Sequence, residues 1–194
     1  MQTYRDQWRR SGFSMVEIVI ALVMLSVVAG LAIPKLNLSQ YRSDGAAQQV
    51  RSVFQTAQRT SLTRQYDVIV SIDTVLNQLR IAEDVNNDGT IQSTEWKFAR
   101  SLGDNNFLMT PPKGVNSTTV ASPIVGASLK MISGSPSVVF HRDGSASSDA
   151  EVYIGSVYRN RTDFRAVLLT RATGRSEMYR LSGTGTSAIW QVAQ

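Results

Sequence analysis

A long apolar segment near the N-terminus, interrupted by one carboxylate, constrains this chain more than any other feature. Residues 15–33 are apolar except for Glu17, Ser26 and Gly30. About 20 apolar residues span a bilayer as a helix, and a charge inside it costs on the order of 3 kcal/mol. Glu17 therefore needs a partner. The α-amino group of a neighbouring chain is such a partner, and it is available nearby only if residues 1–12 are removed.

The residues at the start of this segment form a processing motif. A short basic leader ends at Gly12, Phe13, Ser14 and Glu17 follow, and Pro34 ends the apolar run. This arrangement resembles the N-terminus of type IV prepilins and of type II secretion pseudopilins. The resemblance implies cleavage by a prepilin peptidase between Gly12 and Phe13, and N-methylation of Phe13. It also implies assembly roles for Glu17 and Pro34.

Two other interpretations of the segment fit the residues less well. A secretory signal peptide has an apolar region of about 7–15 residues followed by a small-residue cleavage site. Here the run is longer, and no such site precedes Pro34. An ordinary membrane anchor fits the length but leaves Glu17 without a role.

Composition limits the functional classes. The chain has 194 residues, a net charge of +5, one histidine and no cysteine. Removal of the leader, with Arg5, Arg9, Arg10 and Asp6, lowers the net charge to +3, which is weak evidence for a nucleic-acid partner. One histidine without cysteine leaves little for zinc binding or nucleophilic catalysis, so no enzyme is predicted. Many major type IV pilins close a loop with a disulfide, so the lack of cysteine favours a pseudopilin or minor pilin.

Periodicity predicts a helix over residues 13–64. Beyond the apolar segment, hydrophobic residues recur at helical spacing and form a face of Ala46, Val50, Val53, Phe54 and Ala57. Proline removes a helical N–H and clashes with the preceding turn, so an interruption is expected over residues 30–37. A second interruption is expected at Gly45.

After Gln65 the apolar residues alternate with polar ones, which predicts strands with one buried face. The candidates are Val68, Val70 and Ile72, then Leu79 and Ile81, then residues 96–100, 137–140, 151–154, 164–170, 176–181 and 188–192. Hairpin turns with a glycine at positive φ are expected at Gly144 and Gly174. Residues 102–135 are expected to form a long loop with short strands. Helix first and strands afterwards predict an α+β fold.

The resemblance implies a pilin-like architecture, a long N-terminal helix packed on a C-terminal antiparallel β-domain. Its parts are a leader at residues 1–12, a transmembrane and assembly helix at 13–36, an amphipathic continuation at 37–65 and a globular domain at 66–194. Residues 138–145, 168–170 and 173–175 further resemble the GspH/FimT group of minor pseudopilins. A single-pass protein of the bacterial inner membrane, with a periplasmic C-terminal domain, is implied. Other pilin or pseudopilin subunits are the implied filament partners.

An acidic segment, residues 84–95, matches the twelve-residue calcium loop. That loop requires oxygen ligands at its first, third and fifth places, a glycine at the sixth and a bidentate glutamate at the twelfth. Here Gly89 is the glycine, and the candidate Ca²⁺ ligands are Asp84, Asn86, Asp88, Thr90, Gln92 and Glu95. The flanking segments predict strands rather than EF-hand helices. A structural calcium site and a solvated polar turn are both compatible with these residues.

A second function is suggested by arginines in the last third of the chain. Basic residues interleaved with aromatic ones are typical of nucleic-acid surfaces, and the candidate DNA contacts are Arg171, Arg175 and Arg180. Resemblance to FimT-like minor pilins implies a DNA receptor in transformation as the alternative. That group has a late glycine-arginine-x-arginine motif, whereas Glu177 stands here in place of the second arginine.

Overall fold

The computed structural model describes residues 12–32, 38–103, 105–112, 120–183 and 188–193. The chain divides into two compact units, Met1–Asn37 and Leu38–Gln194. The described part of the first unit contains one helix, α1 (Met15–Ala32). Judged by length and hydropathy together, none of the helices in the described ranges qualifies as a membrane span. The helix predicted over residues 13–36 is thus helical from residue 15 to residue 32, while Pro34 lies outside the described residues.

The second unit begins with α2 (Leu38–Arg64). The predicted apolar stripe is buried along it, from Ala46 to Ala57. The predicted interruption at Gly45 was wrong, since the helix is continuous there. Glycine costs about 1 kcal/mol in a helix interior, but the neighbouring Asp44 is held by two ion pairs and Ala46 is buried. These tertiary contacts outweigh the local preference.

Two antiparallel sheets complete the second unit. The first contains, in spatial order, β3 (Trp96–Ser101), β2 (Gln78–Asp84), β1 (Asp67–Asp73), β7 (Ser135–Phe140) and β6 (Lys130–Ile132). The second contains β11 (Ile189–Val192), β10 (Ser176–Ser182), β9 (Arg165–Leu169), β8 (Ala150–Ser156) and β4 (Asn106–Leu108), and β5 (Ile124–Val125) also pairs with β8. The fold is therefore α+β, as predicted. The short strands β4, β5 and β6 lie within the predicted long loop.

The prediction of one buried face was wrong for the central strand β1. Ile69 and Ser71 are buried in addition to the predicted face. Ile69 lies between its cross-strand partners Ala82 and Val139, and both of these are also buried. The neighbouring strands therefore supply an apolar surface on the second face, which alternation along one strand cannot reveal.

The main core lies between α2 and the two sheets. Side chains of α2 pack against strands of both sheets, and the rings of Phe54 and Phe140 lie 6.0 Å apart. Every member of this core belongs to the second unit. A unit with a hydrophobic core of its own can fold alone, so residues 38–194 form an independent folding unit.

Candidate functional sites

The predicted processing site lies just before the first helix. Gly12 and Phe13 precede Met15, where α1 begins, and Phe13 is exposed. The bond between Gly12 and Phe13 therefore lies outside the hydrogen-bonded helix. Glu17 stands in the first turn of α1 and is exposed. A carboxylate at this end of a helix is favoured by the helix dipole.

The first acidic residue of the 84–95 segment acts as a hydrogen-bond acceptor within its own loop. Asp84 is the last residue of β2 and is 2% exposed. Its carboxylate accepts the backbone N–H of Asp88 at 3.1 Å and that of Gly89 at 2.9 Å. Asp84 thereby closes the first half of the loop.

The last acidic residue of the segment closes the second half. Glu95 immediately precedes β3 and is buried. Its carboxylate accepts the backbone N–H of Val85 at 3.3 Å and that of Gln92 at 3.0 Å. Both carboxylate oxygens of Glu95 are therefore engaged by main-chain donors.

The middle acidic residue is exposed and is held by local bonds. Asp88 accepts the hydroxyl of Thr90 at 2.7 Å and its backbone N–H at 2.8 Å. The side-chain amides of Asn86 and Gln92 donate to its other oxygen at 2.9 and 2.7 Å. The bonds from Thr90, first that of its hydroxyl, hold the pKa of Asp88 below its usual value.

In this conformation the loop's carboxylates are engaged by hydrogen bonds within the loop. Calcium takes six to eight oxygen ligands around one point. Here the carboxylates accept N–H donors, and the described residues hold no group of three or more His, Asp or Glu side chains placed for a metal. In this conformation the segment is a closed polar connection between β2 and β3. Calcium binding by residues 84–95 stays a prediction.

We expect Asp84→Ala to lower the free energy of unfolding of residues 38–194 by about 2 kcal/mol in chelator, because two N–H groups lose a charged acceptor. Asp88→Ala is the matched control and changes stability little, since its carboxylate is exposed. Denaturant unfolding followed by circular dichroism measures both.

The calcium hypothesis demands in addition that millimolar calcium raise the melting temperature of the wild type and that Asp88→Ala remove this shift. If the wild type has identical melting curves in calcium and in chelator, residues 84–95 are an ordinary polar turn.

The predicted DNA-contacting arginines are not brought together. Arg171 and Arg175 flank the turn between β9 and β10, whereas Arg180 donates to Asp44 on α2 at 2.9 and 3.1 Å. The turn contacts Gln58 of the same helix, and Gln58 lies 14 residues after Asp44, or about 21 Å along a helix at 1.5 Å per residue. Arg180 and the turn that carries Arg171 and Arg175 therefore contact α2 at two different places.

A buried arginine from the basic last third of the chain holds the start of α2. Arg165 is 2% exposed and donates from Nε to Asp44 Oδ1 at 2.5 Å. Its Nη1 donates to the carbonyls of Thr162 and Phe164 at 2.6 and 2.9 Å. Asp44 thus sits between Arg165 and Arg180, and these three side chains are called the arginine clamp. No local signal marks it, since its partners lie 121 and 136 residues apart.

The two predicted glycine turns meet on α2. Gly144 and Gly174 have φ angles of 83° and 61°, which confirms the positive φ predicted for both. The Nε2 of Gln58 donates to the carbonyl of Gly144 at 2.9 Å and to that of Thr173 at 2.6 Å. This meeting point of Gln58, Gly144, Thr173 and Gly174 is called the turn junction. It gives a structural role to two segments that the sequence singled out only as turns.

Comparison with known proteins concerns first the N-terminal segment. The family model described as the prokaryotic N-terminal methylation motif matches residues 9–33. This span includes Gly12, Phe13 and Glu17 and confirms the prepilin-type segment. A search of curated proteins found no match.

Solved structures with similar chain traces include two of the minor pseudopilin EpsH from the type 2 secretion system of Vibrio cholerae. Each shows 10% identity and a TM-score of 0.48; the matches cover 73% and 75% of this chain and 97% and 99% of those chains. The type IV minor pilin FimU of Pseudomonas aeruginosa strain PAO1 matches with 15% identity and a TM-score of 0.42, over 78% of this chain and 92% of that chain. All three TM-scores lie below 0.5, so the assignment rests on the N-terminal segment. The chain carries the prokaryotic N-terminal methylation motif at residues 9–33.

Proposed function

We propose that this chain is a structural, non-enzymatic minor pseudopilin or minor pilin of a type II secretion or type IV pilus filament. The observation that carries the proposal is the methylation motif at residues 9–33. Gly12 and Phe13, between which we propose cleavage, lie outside the helix, and Glu17 lies in the first helical turn. These are the features that processing and assembly would use.

Processing comes first in the proposed mechanism. A prepilin peptidase cleaves between Gly12 and Phe13 and methylates the new amino group of Phe13. Before assembly the apolar segment holds the chain in the bacterial inner membrane, with the globular unit in the periplasm. The basic leader favours the cytoplasmic side by the positive-inside rule.

Assembly then places the apolar helix among the helices of other subunits. Large apolar side chains along α1, from Met15 to Val28, are more than half exposed, so they require an apolar environment that this helix does not provide for itself. Glu17 is the only charged residue in α1. Its pairing with the α-amino group of a neighbouring subunit compensates the buried charge and sets the axial position of one helix relative to the next.

DNA binding is the alternative, and the site geometry does not favour it. Arg180 belongs to the arginine clamp, where it pairs with Asp44 at 2.9 Å. Arg175 pairs with Glu177 at 3.4 Å. We therefore propose a structural role in the filament rather than DNA binding.

We expect Glu17→Ala to be processed normally and to be depleted from filaments. Wild type and variant should both show an N-methylated Phe13 in mass spectrometry of the mature chain, because the peptidase acts before assembly. Sheared or cross-linked filaments should contain the wild type and little of the variant, since Glu17 no longer pairs with a neighbouring amino group. Ser26→Ala is the matched control in the same helix, because Ser26 bonds only to its own helix, at Leu22.

Two results would contradict the proposal. A mature N-terminus other than Phe13 would remove the basis for a prepilin-type protein. Full incorporation of Glu17→Ala into filaments would deny the pairing role of the carboxylate while leaving the processing step intact.

A further inference from the structure

One end of the second unit exposes apolar and aromatic side chains from three separate segments. The chain enters the unit at this end, so we call it the entry surface, and its residues are Leu38, Tyr41, Val75, Leu76, Val157 and Tyr158. All six are exposed, and Val75 reaches 91%. None belongs to the main core, so the core does not explain them.

Hydrogen bonds hold the turn between β1 and β2 against the first turns of α2. The side-chain amide of Asn77 donates to the carbonyl of Asn106 at 2.6 Å and accepts the N–H of Leu108 at 2.9 Å. The hydroxyl of Ser43 donates to the side-chain oxygen of Asn106 at 3.1 Å. Asn106 thus joins the turn carrying Val75 to the start of α2.

The third segment is fixed at the same end. The N–H of Val157 donates to the carbonyl of Asn105 at 2.8 Å, next to the Asn106 connection. The hydroxyl of Ser39 donates to Asp163 at 3.1 Å, which ties the segment after β8 to the first turn of α2. The six side chains therefore lie on segments that are held together at one end of the unit.

The tip of the surface is a self-closed turn with two aliphatic side chains. The carboxylate of Asp73 accepts the N–H of Val75 at 3.0 Å and that of Leu76 at 2.8 Å. Asn77 then takes a positive φ of 53° and turns the chain into β2. The N–H groups of Val75 and Leu76 are satisfied within the turn, so these two residues can enter an apolar medium without losing those bonds, while the half-buried carboxylate of Asp73 stays at the base of the turn.

Charge at this end is positive among the described residues. Arg42 and Arg159 are exposed. The carboxylates nearby are Asp73 in the turn, the buried Asp163 and Asp44, which Arg165 and Arg180 share; among these groups, with Arg42 and Arg159, the arginines outnumber the carboxylates four to three. An apolar tip surrounded by tyrosine and arginine is the composition that favours the interface of an anionic bilayer.

We propose that the entry surface binds a bilayer that contains anionic lipid, with Val75 and Leu76 inserted and Arg42 and Arg159 at the headgroup phosphates. Five residues separate the end of α1 from Leu38, where the chain enters this end. The proposal rests on the proposed function, in which the apolar segment is stored in a membrane. The surface then orients the globular unit on the membrane before assembly. Entry into the filament requires its release from the lipid.

The test uses residues 38–194 alone, which form an independent folding unit, in co-sedimentation with vesicles. We expect binding to phosphatidylethanolamine vesicles that contain phosphatidylglycerol, and weaker binding to phosphatidylcholine vesicles. The double variant Val75→Ser/Leu76→Ser should lower the association constant about tenfold, because it removes the inserted apolar area. Arg42→Gln/Arg159→Gln should remove the preference for anionic vesicles. Met131→Ser is the matched control, because Met131 is similarly exposed but lies on β6.

Wild-type binding by the Val75→Ser/Leu76→Ser variant would overturn the proposal. So would self-association of the wild type, measured by sedimentation velocity and lost in that variant, because the surface would then bind a second copy. Failure of wild-type residues 38–194 to bind anionic vesicles at low salt would also overturn it. These residues lack Phe13 and Glu17, so such a failure leaves the proposed filament function to its own test.

Discussion

Asp44→Ala is expected to lower the free energy of unfolding of residues 38–194 by about 3–5 kcal/mol, the range measured when one partner of a buried ion pair is removed. Arg165 is buried and directs its Nε at Asp44. Without the carboxylate this guanidinium keeps only carbonyl acceptors and its charge is uncompensated. Chemical denaturation of the wild type and the variant measures the difference.

Arg180→Gln provides the matched control for the arginine clamp. Arg180 pairs with the same carboxylate, but its side chain is 47% exposed, and exposed ion pairs contribute about 0–1 kcal/mol. We expect a loss within that range. The double variant Asp44→Ala/Arg165→Met should be more stable than Asp44→Ala, since it removes the uncompensated charge. A loss below 1 kcal/mol for Asp44→Ala would mean that water reaches Arg165.

The second large effect is expected at the turn junction, where Gly174→Ala should lower the free energy of unfolding by about 3 kcal/mol. The left-handed conformation at φ 61° costs a non-glycine residue about 1–2 kcal/mol. A Cβ at this position would also collide with the carbonyl oxygen of Gly144 and lie 2.5 Å from the Nε2 of Gln58. Loss of the Gln58 hydrogen bonds adds about 1 kcal/mol each.

Gly134→Ala separates the two causes. Gly134 has a φ of 79°, and a Cβ there would meet no atom within 4 Å. Only the conformational cost applies, so we expect a loss of about 1–2 kcal/mol. Equal losses of unfolding free energy for Gly134→Ala and Gly174→Ala would show that the contacts at the turn junction add nothing to the conformational cost. Gln58→Ala should reproduce the hydrogen-bond part of the Gly174 effect.

Local patterns predicted the strands because alternation and turn glycines are properties of neighbouring residues. Leu79 and Ile81 alternate with more exposed polar residues within β2, and Gly144 and Gly174 stand in turns that adjacent residues define. The helical continuity through Gly45 was missed because it depends on residues that are distant in the sequence. It depends on Arg165 and Arg180, which are 121 and 136 residues from Asp44.

The same distinction between local and distant contacts applies to the candidate sites. The processing motif at Gly12 and Phe13 is contiguous, and the family model confirms its segment. The carboxylates of Asp84 and Glu95 have the spacing of a calcium loop, but the spacing does not tell whether they turn towards an ion or towards backbone N–H groups. Likewise, nothing near Arg180 in the chain shows that it forms an ion pair with a residue of α2.

The long separation between the partners of α2 also determines when the unit can fold. Gln58 bonds to Thr173, and Asp44 bonds to Arg165 and Arg180. These partners are synthesised late, so the helix lacks them until the last segments leave the ribosome. Until then β1 can cover only part of the apolar stripe around Phe54, because β8, β9 and β10 also pack against α2, and such non-local contacts close slowly. The second unit therefore cannot complete its core until most of the chain has been made, and an incompletely folded chain can still be moved across a membrane.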